Sequence, residues 1–341
     1  SFELQATDSN TIPNTAVSSS ANVIVFALPS GFMYCFGTES NYAPISTNGI
    51  VLWRNVSQAN YPVPGGIKGE GAGIYENTIF SVAGANYSTV TTSNTFYAPV
   101  SPNGIGAWTI STSYPYSLNE PACAVASNNI YCVGGEGQTY VEYAPVASSG
   151  IGTWASTSAY PIGIADASCV ASSTNYFYCI GGYSSGAYVT DVYFSPVATS
   201  GGLTSWSSTN SLPFALGMTS CNVAGNNIYC TGGSPGPSAN TVYASFLPGG
   251  LLSTWQIASN TLPAGISTGE GPGMYCVASQ QDLFCINNAS SAYYAPILPN
   301  GNIGAWSSTH AGPNNRNKCF AELYTAFTET GLPSGAVWTV V

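Results

Sequence analysis

Charge is what this chain lacks most. Asp, Glu, Lys and Arg make up 5% of its 341 residues, against roughly 25% in an ordinary soluble domain. Its cations are Arg54, Lys68, Arg316 and Lys318, set against 14 acids for a net charge of −10. Such a balance excludes nucleic acid and anionic membrane surfaces as partners, because both require clustered cations. His310 is the single histidine. Long apolar runs are missing too: none approaches the roughly 18 residues of a membrane helix, so no membrane insertion is expected of this chain. No secretory leader is visible, as expected of a processed or trimmed chain.

What fills the sequence instead is 38 Gly, 22 Pro and 23 Tyr among many Ser, Thr and Asn. These residues suit short strands and frequent turns rather than helices. The surface must then be largely neutral and polar. A surface of that kind changes little once its few carboxylates protonate, which points to an acidic extracellular setting. A glycosylated surface at ordinary pH is the alternative, and sequons at Asn55, Asn86 and Asn288 permit it.

One stretch organises the rest. Asn128-Asn129-Ile130-Tyr131-Cys132-Val133-Gly134-Gly135 returns as 175–182 and 227–233, with weaker copies at 31–37, 78–84 and 282–287. Each copy alternates like a strand, and most end in glycine, where a chain bends or approaches a neighbour closely. A second marker follows each copy, Tyr143-Ala144-Pro145-Val146 and its relatives. A third is a tryptophan after a glycine-containing turn: Trp53, Trp108, Trp154, Trp206, Trp255 and Trp306. Successive tryptophans lie 55, 46, 52, 49 and 51 residues apart. A period near 50 with several short strands per unit reads as the blades of a propeller.

The aromatic strand ending in double glycine, the downstream tyrosine and the later tryptophan together resemble the kelch family of β-propellers, over roughly residues 20–325. The double glycine is intact only in units three to five, and Trp338 belongs to no unit. The resemblance implies an all-β, six-bladed propeller of four-stranded blades with the first strand of each blade innermost. Blade cores are expected near 21–55, 66–110, 122–156, 167–208, 219–257 and 272–308, with a closing strand at 318–326. The domain would span 1–325, followed by a β-strand tail at 327–341.

The ten cysteines occupy two positions of the repeat. Spacings of nine or ten residues suit cross-strand bridges Cys123–Cys132, Cys169–Cys179, Cys221–Cys230 and Cys276–Cys285. Metal binding is the competing reading, and it is weak because the pairs lie in separate units with one histidine to assist. Cys35 and Cys319 remain, and a bridge between them would clasp the ring where its terminal strands close it. Bridges of this number place the protein outside the cytoplasm, or inside a hyperthermophile.

Strands are in surplus at the termini. Residues 21–28 also look like an inner strand for unit one, and 4–13 resembles 255–263. Residues 327–341 look like the opening of modules found repeatedly in archaeal surface proteins. Ala336–Val341 is β-prone and uncharged, so it is expected either to dock on its own propeller or to supply a strand to another subunit.

Chemistry is sparse. The resemblance brings to mind copper-radical sugar oxidases, which need two His ligands, and sialidase-type propellers, which need three Arg. With His310, Arg54 and Arg316 alone, neither site can be built. No metal or cofactor is expected. Paired carboxylates stay open for glycoside chemistry. Glu120 and Asp166 each lie three residues before an inner-strand cysteine, Arg316 does likewise, and Glu70 and Glu270 match each other across units two and six. These positions should meet near the mouth of the central channel, as a cation or sugar site or, the favoured reading, as satisfiers of backbone amides. Loop tyrosines Tyr87, Tyr140, Tyr183 and Tyr188 could stack on sugars. The expectation is a non-catalytic, extracellular or cell-surface structural or adhesive protein. Its partners would be copies of itself, joined through the terminal strands into a filament or coat. The alternatives are a carbohydrate-binding head and, after it, a carboxylate-based glycan hydrolase or lyase.

Overall fold

The computed structural model describes residues 4–6, 31–37, 39–56, 61–63, 66–86, 90–235, 239–263, 274–287, 291–310, 312, 318–322 and 338–340. The chain divides into two compact units, one from Pro29 to Leu323 and the other from the termini Ser1–Leu28 and Tyr324–Val341.

The larger unit is a six-bladed β-propeller of antiparallel, four-stranded blades. Blade three shows the plan. Its inner strand Ala122–Ala126 pairs with Asn129–Val133, which pairs with Val141–Ala147, which carries the outer pieces Gly150–Ile151 and Ala155–Ser156. The organising repeat is therefore the second strand, and its burial explains its composition. Tyr34, Phe80, Tyr131, Phe177, Tyr178, Tyr229 and Phe284 are all at 0% exposure, because both faces of a blade pack on neighbouring blades.

Tryptophan is the wedge between blades. Trp154 Nε1 donates to Thr112 O at 3.1 Å, Trp206 to Ser158 O at 2.9 Å, Trp255 to Asn210 O at 2.9 Å and Trp306 to Asn260 O at 3.4 Å. Each bond reaches back one blade. Trp53 of blade one donates to His310 O beyond blade six at 3.3 Å, so the same device continues across the seam. His310 serves that seam structurally, its Nδ1 lying 3.0 Å from Ile50 O.

Glycine pairs are needed where one blade meets the loop entering the next. Gly181 and Gly182 have φ of 57° and 111°, and Gly182 N donates to Leu216 O at 2.8 Å. A Cβ on Gly181 would sit 2.0 Å from that carbonyl oxygen, a collision no L side chain survives. Blade two keeps the geometry with Ala83 and Gly84.

Ring closure follows the expectation. Lys318–Glu322 is the inner strand of blade one, in register from Phe32↔Glu322 to Phe36↔Lys318. Of the expected closing strand 318–326, residues 318–322 are strand, while 323–326, like residues 21–28, lie outside the described residues. All five disulfides form within this one chain, the hairpin bridges in blades three to six and Cys35–Cys319 in blade one. In blade two Ala72 and Ser81 stand opposite each other in the equivalent register. Several disulfides suggest an oxidising, extracellular environment. Among the described residues no helix is long and apolar enough to cross a membrane.

In the smaller unit Leu4–Ala6 pairs antiparallel with Trp338–Val340. Of the N-terminal stretch that resembles 255–263, residues 4–6 thus pair with the tail, and 7–13 lie outside the described residues.

Candidate functional site

Where the inner strands begin, the backbone repeats one conformation. Gly69, Glu120, Asp166 and Met218 precede the inner strands of blades two to five with φ of 59°, 64°, 54° and 52°. Blade two fills this left-handed position with glycine, as its geometry favours. Blades three and four place carboxylates there, where a side chain carries a strain of order 1 kcal/mol. Glu120 N donates to Gly69 O at 2.6 Å, and Met218 N to Asp166 O at 2.9 Å, which ties each such turn to its neighbour.

These turns open on a central cavity of about 660 Å³ lined by all six inner strands. Glu70, Glu120 and Asp166 line it together with Lys68 and Lys318. Glu70 is only 2% exposed. Burial pushes its carboxyl up to about 7, against the pull of Lys318 and a bond from its own backbone amide. Burial likewise pushes Glu120 up to about 7, with the charges of Asp166 and Glu136 adding to the rise and Lys68 and Lys318 opposing it. Asp166 is raised by burial, with Lys318 again opposing. Lys318 lies 5.8 Å from the centre of the Tyr275 ring, a cation–π distance. Near neutral pH Glu70 and Glu120 can both donate and accept hydrogen bonds, the property required of a site for polyols or for general acid–base work.

The structure thus brings Glu70, Glu120 and Asp166 to one cavity. Arg316 and Glu270 lie outside the described residues. Lys68 and Lys318 belong to the cluster but were missed as site residues. Lys68 sits two residues before Glu70 and offered a local signal, whereas Lys318 arrives only through ring closure. Glu136 was missed as well; it accepts from Asn119 N at 3.1 Å while Asn119 Nδ2 donates to Glu120 at 2.8 Å. Among the described residues no group of three or more metal-type ligands is assembled.

Of the loop tyrosines, Tyr140 is 37% exposed and stacks on Tyr116 at 4.1 Å, and Tyr116 OH donates to the buried Glu142 at 3.4 Å. Tyr183 is 39% exposed and meets Tyr188 edge-on at 5.1 Å. Tyr87 lies outside the described residues. Asn55 is exposed on the outer strand Arg54–Asn55, its Nδ2 donating to Glu39 at 2.8 Å. Asn86 is half-buried and its Oδ1 accepts from Val90 N at 2.9 Å. Asn288 lies outside the described residues. No protein-family model matches this chain, and no curated protein matches it.

Proposed function

We propose that this chain is a non-catalytic building block of an extracellular filament or coat, with copies linked through their terminal strands. The carrying observation is that the propeller closes without those strands. Lys318–Glu322 completes blade one, while Leu4–Ala6 and Trp338–Val340 pair only with each other among the described residues. An isolated two-stranded ladder is marginally stable in water. The ladder gains stability when terminal strands of a neighbouring copy extend it beyond two strands, as in strand addition between subunits. The repeat identity we favour is the kelch type, and the source we favour is an archaeal cell surface, glycosylated on its outer strands.

Electron microscopy of the protein taken from its native surface without reductant tests this reading. Ordered filaments or sheets that disappear when residues 336–341 are deleted are the expected result. Separate propeller-sized particles overturn it.

A second reading is a carbohydrate-binding head. The Tyr116–Tyr140 stack favours it, as do two loops that follow glycine pairs and reach the carboxylate turns. Glu136 accepts from Asn119 N beside Glu120, and Tyr183 pairs with Ala165 beside Asp166. A glycan array read with E120Q and D166N distinguishes it: binding lost in the variants supports a binder, and turnover of a bound glycan supports a hydrolase or lyase.

A further inference from the structure

Four of the five disulfides join residues nine or ten apart within a hairpin. Opening any of them leaves the chain path of its blade unchanged, because a short turn already holds the two strands together. Cys35–Cys319 spans 284 residues and joins the inner strand of blade one to its second strand. No short turn holds that pair. Without the bridge, the closing strand is retained by a five-residue ladder, by the Phe320 ring stacked on Phe36 at 6.4 Å, and by Lys318 beside Tyr275.

Each of those contacts is indifferent to which copy supplies the strand. The connector ahead of it, 310–317, reads His-Ala-Gly-Pro-Asn-Asn-Arg-Asn, made mostly of residues that favour turns and loops over regular structure. An element of identical fit on a loop connector is the usual material of a domain swap. Cys319 is 9% exposed and lines the central cavity with the other inner-strand cysteines, so a dithiol approaches the bridge from the cavity side.

We propose that Lys318–Glu322 is an exchangeable closing strand governed by Cys35–Cys319. With the bridge reduced, the strand docks on Gly31–Phe36 of a second copy of this chain; with the bridge formed, whichever strand is in place is sealed there. In reduction, a dithiol cleaves the sulfur–sulfur bond, delivers two electrons and two protons to the protein and becomes a cyclic disulfide. Resealing by a small disulfide takes two electrons and two protons from the protein thiols and releases two small thiols. The proposal does not depend on how the extreme termini pair.

The test uses the natural chain. Unlabelled and heavy-nitrogen protein are mixed in equal amounts, reduced with dithiothreitol, reoxidised with glutathione disulfide, digested and read by mass spectrometry. An alkylated aliquot confirms that Cys35–Cys319 has opened. Mixed-isotope Cys35–Cys319 peptides are expected, rising towards about half of the total, the statistical limit for free exchange between copies. The Cys221–Cys230 peptides should stay wholly light or wholly heavy. Clasp peptides without mixed isotopes overturn the proposal, and so does equal mixing at the hairpin bridges, which would be scrambling. As a second readout, C35S mixed with C319S should give a covalent heterodimer on oxidation, and oxidised monomers alone would count against exchange.

Discussion

At the scale of single residues, the seams between blades show how a buried tyrosine fares beside a serine and beside a disulfide. In blade two Tyr61 OH is within 2.6 Å of Ser81 Oγ, and both are buried. Blades three and four carry Cys132 and Cys179 in the register of Ser81, and there Tyr114 OH and Tyr160 OH are buried without a partner. Burial drives all three phenols well above their ordinary range. An unpaired buried hydroxyl is destabilising, while a satisfied one contributes about 1 kcal/mol. We therefore expect Y114F and Y160F to be neutral or to stabilise by up to about 1 kcal/mol, and Y61F to destabilise by about 1–2 kcal/mol. Urea denaturation with the bridges intact reads the difference. Equal losses in all three variants would mean that Tyr114 and Tyr160 have partners after all.

Elements differ in how they are held. A hairpin strand is retained by its turn, and its disulfide closes so short a loop that it removes less freedom from the unfolded chain than a long-range bridge does. The closing strand is retained by non-covalent contacts and one long-range bridge. In the chain-entropy account, a loop of nine or ten residues contributes about 2.5–3 kcal/mol and one of 284 about 5–6 kcal/mol. Denaturation of C35S/C319S should therefore show a loss about 2–3 kcal/mol greater than that of C221S/C230S. Similar losses would mean that closure is already secured without the clasp. The hairpin bridges were readable in advance, because two cysteines nine residues apart on alternating strands face each other across a turn. The glycine pairs were readable as bends. Their closeness to Leu216 O and its equivalents was not, because that carbonyl belongs to the next unit.

For the whole molecule, the pattern of titration matters more than net charge. Glu70, Glu120, Asp166, Asp282 and Glu322 are all raised, with burial the leading cause in each. A carboxyl raised in the folded state binds its proton more tightly than the unfolded chain does. Stability is then greatest below the unfolded value and falls as pH climbs through the folded one. For Glu70 and Glu120 that window runs from 4.5 to about 7. Thermal unfolding from pH 4 to 8 should show the melting temperature falling across the window and levelling above it. E70Q should remove about 3 kcal/mol of the stability change across the window, because Glu70 is fully buried. A melting temperature that rises across the same window would overturn this account.

What the sequence determined by itself was everything periodic. Six units, their strand order, the tryptophan wedges and the hairpin bridges each recur at a fixed spacing, and short-range pairing turns such spacing directly into structure. Beyond the Cys35–Cys319 clasp and the meeting of Glu120 with Asp166, which repeat position already implied, only the tertiary fold decided what meets across the seam and across the axis. Lys318 reaches the cavity that Glu70, Glu120 and Asp166 line because closure carries residue 318 round to the strand containing Cys35. Trp53 finds His310 because adjacent blades twist into face-to-face packing. Those contacts join residues in different units, and their partners are set by the curvature that closes six blades into a ring, which no local spacing encodes.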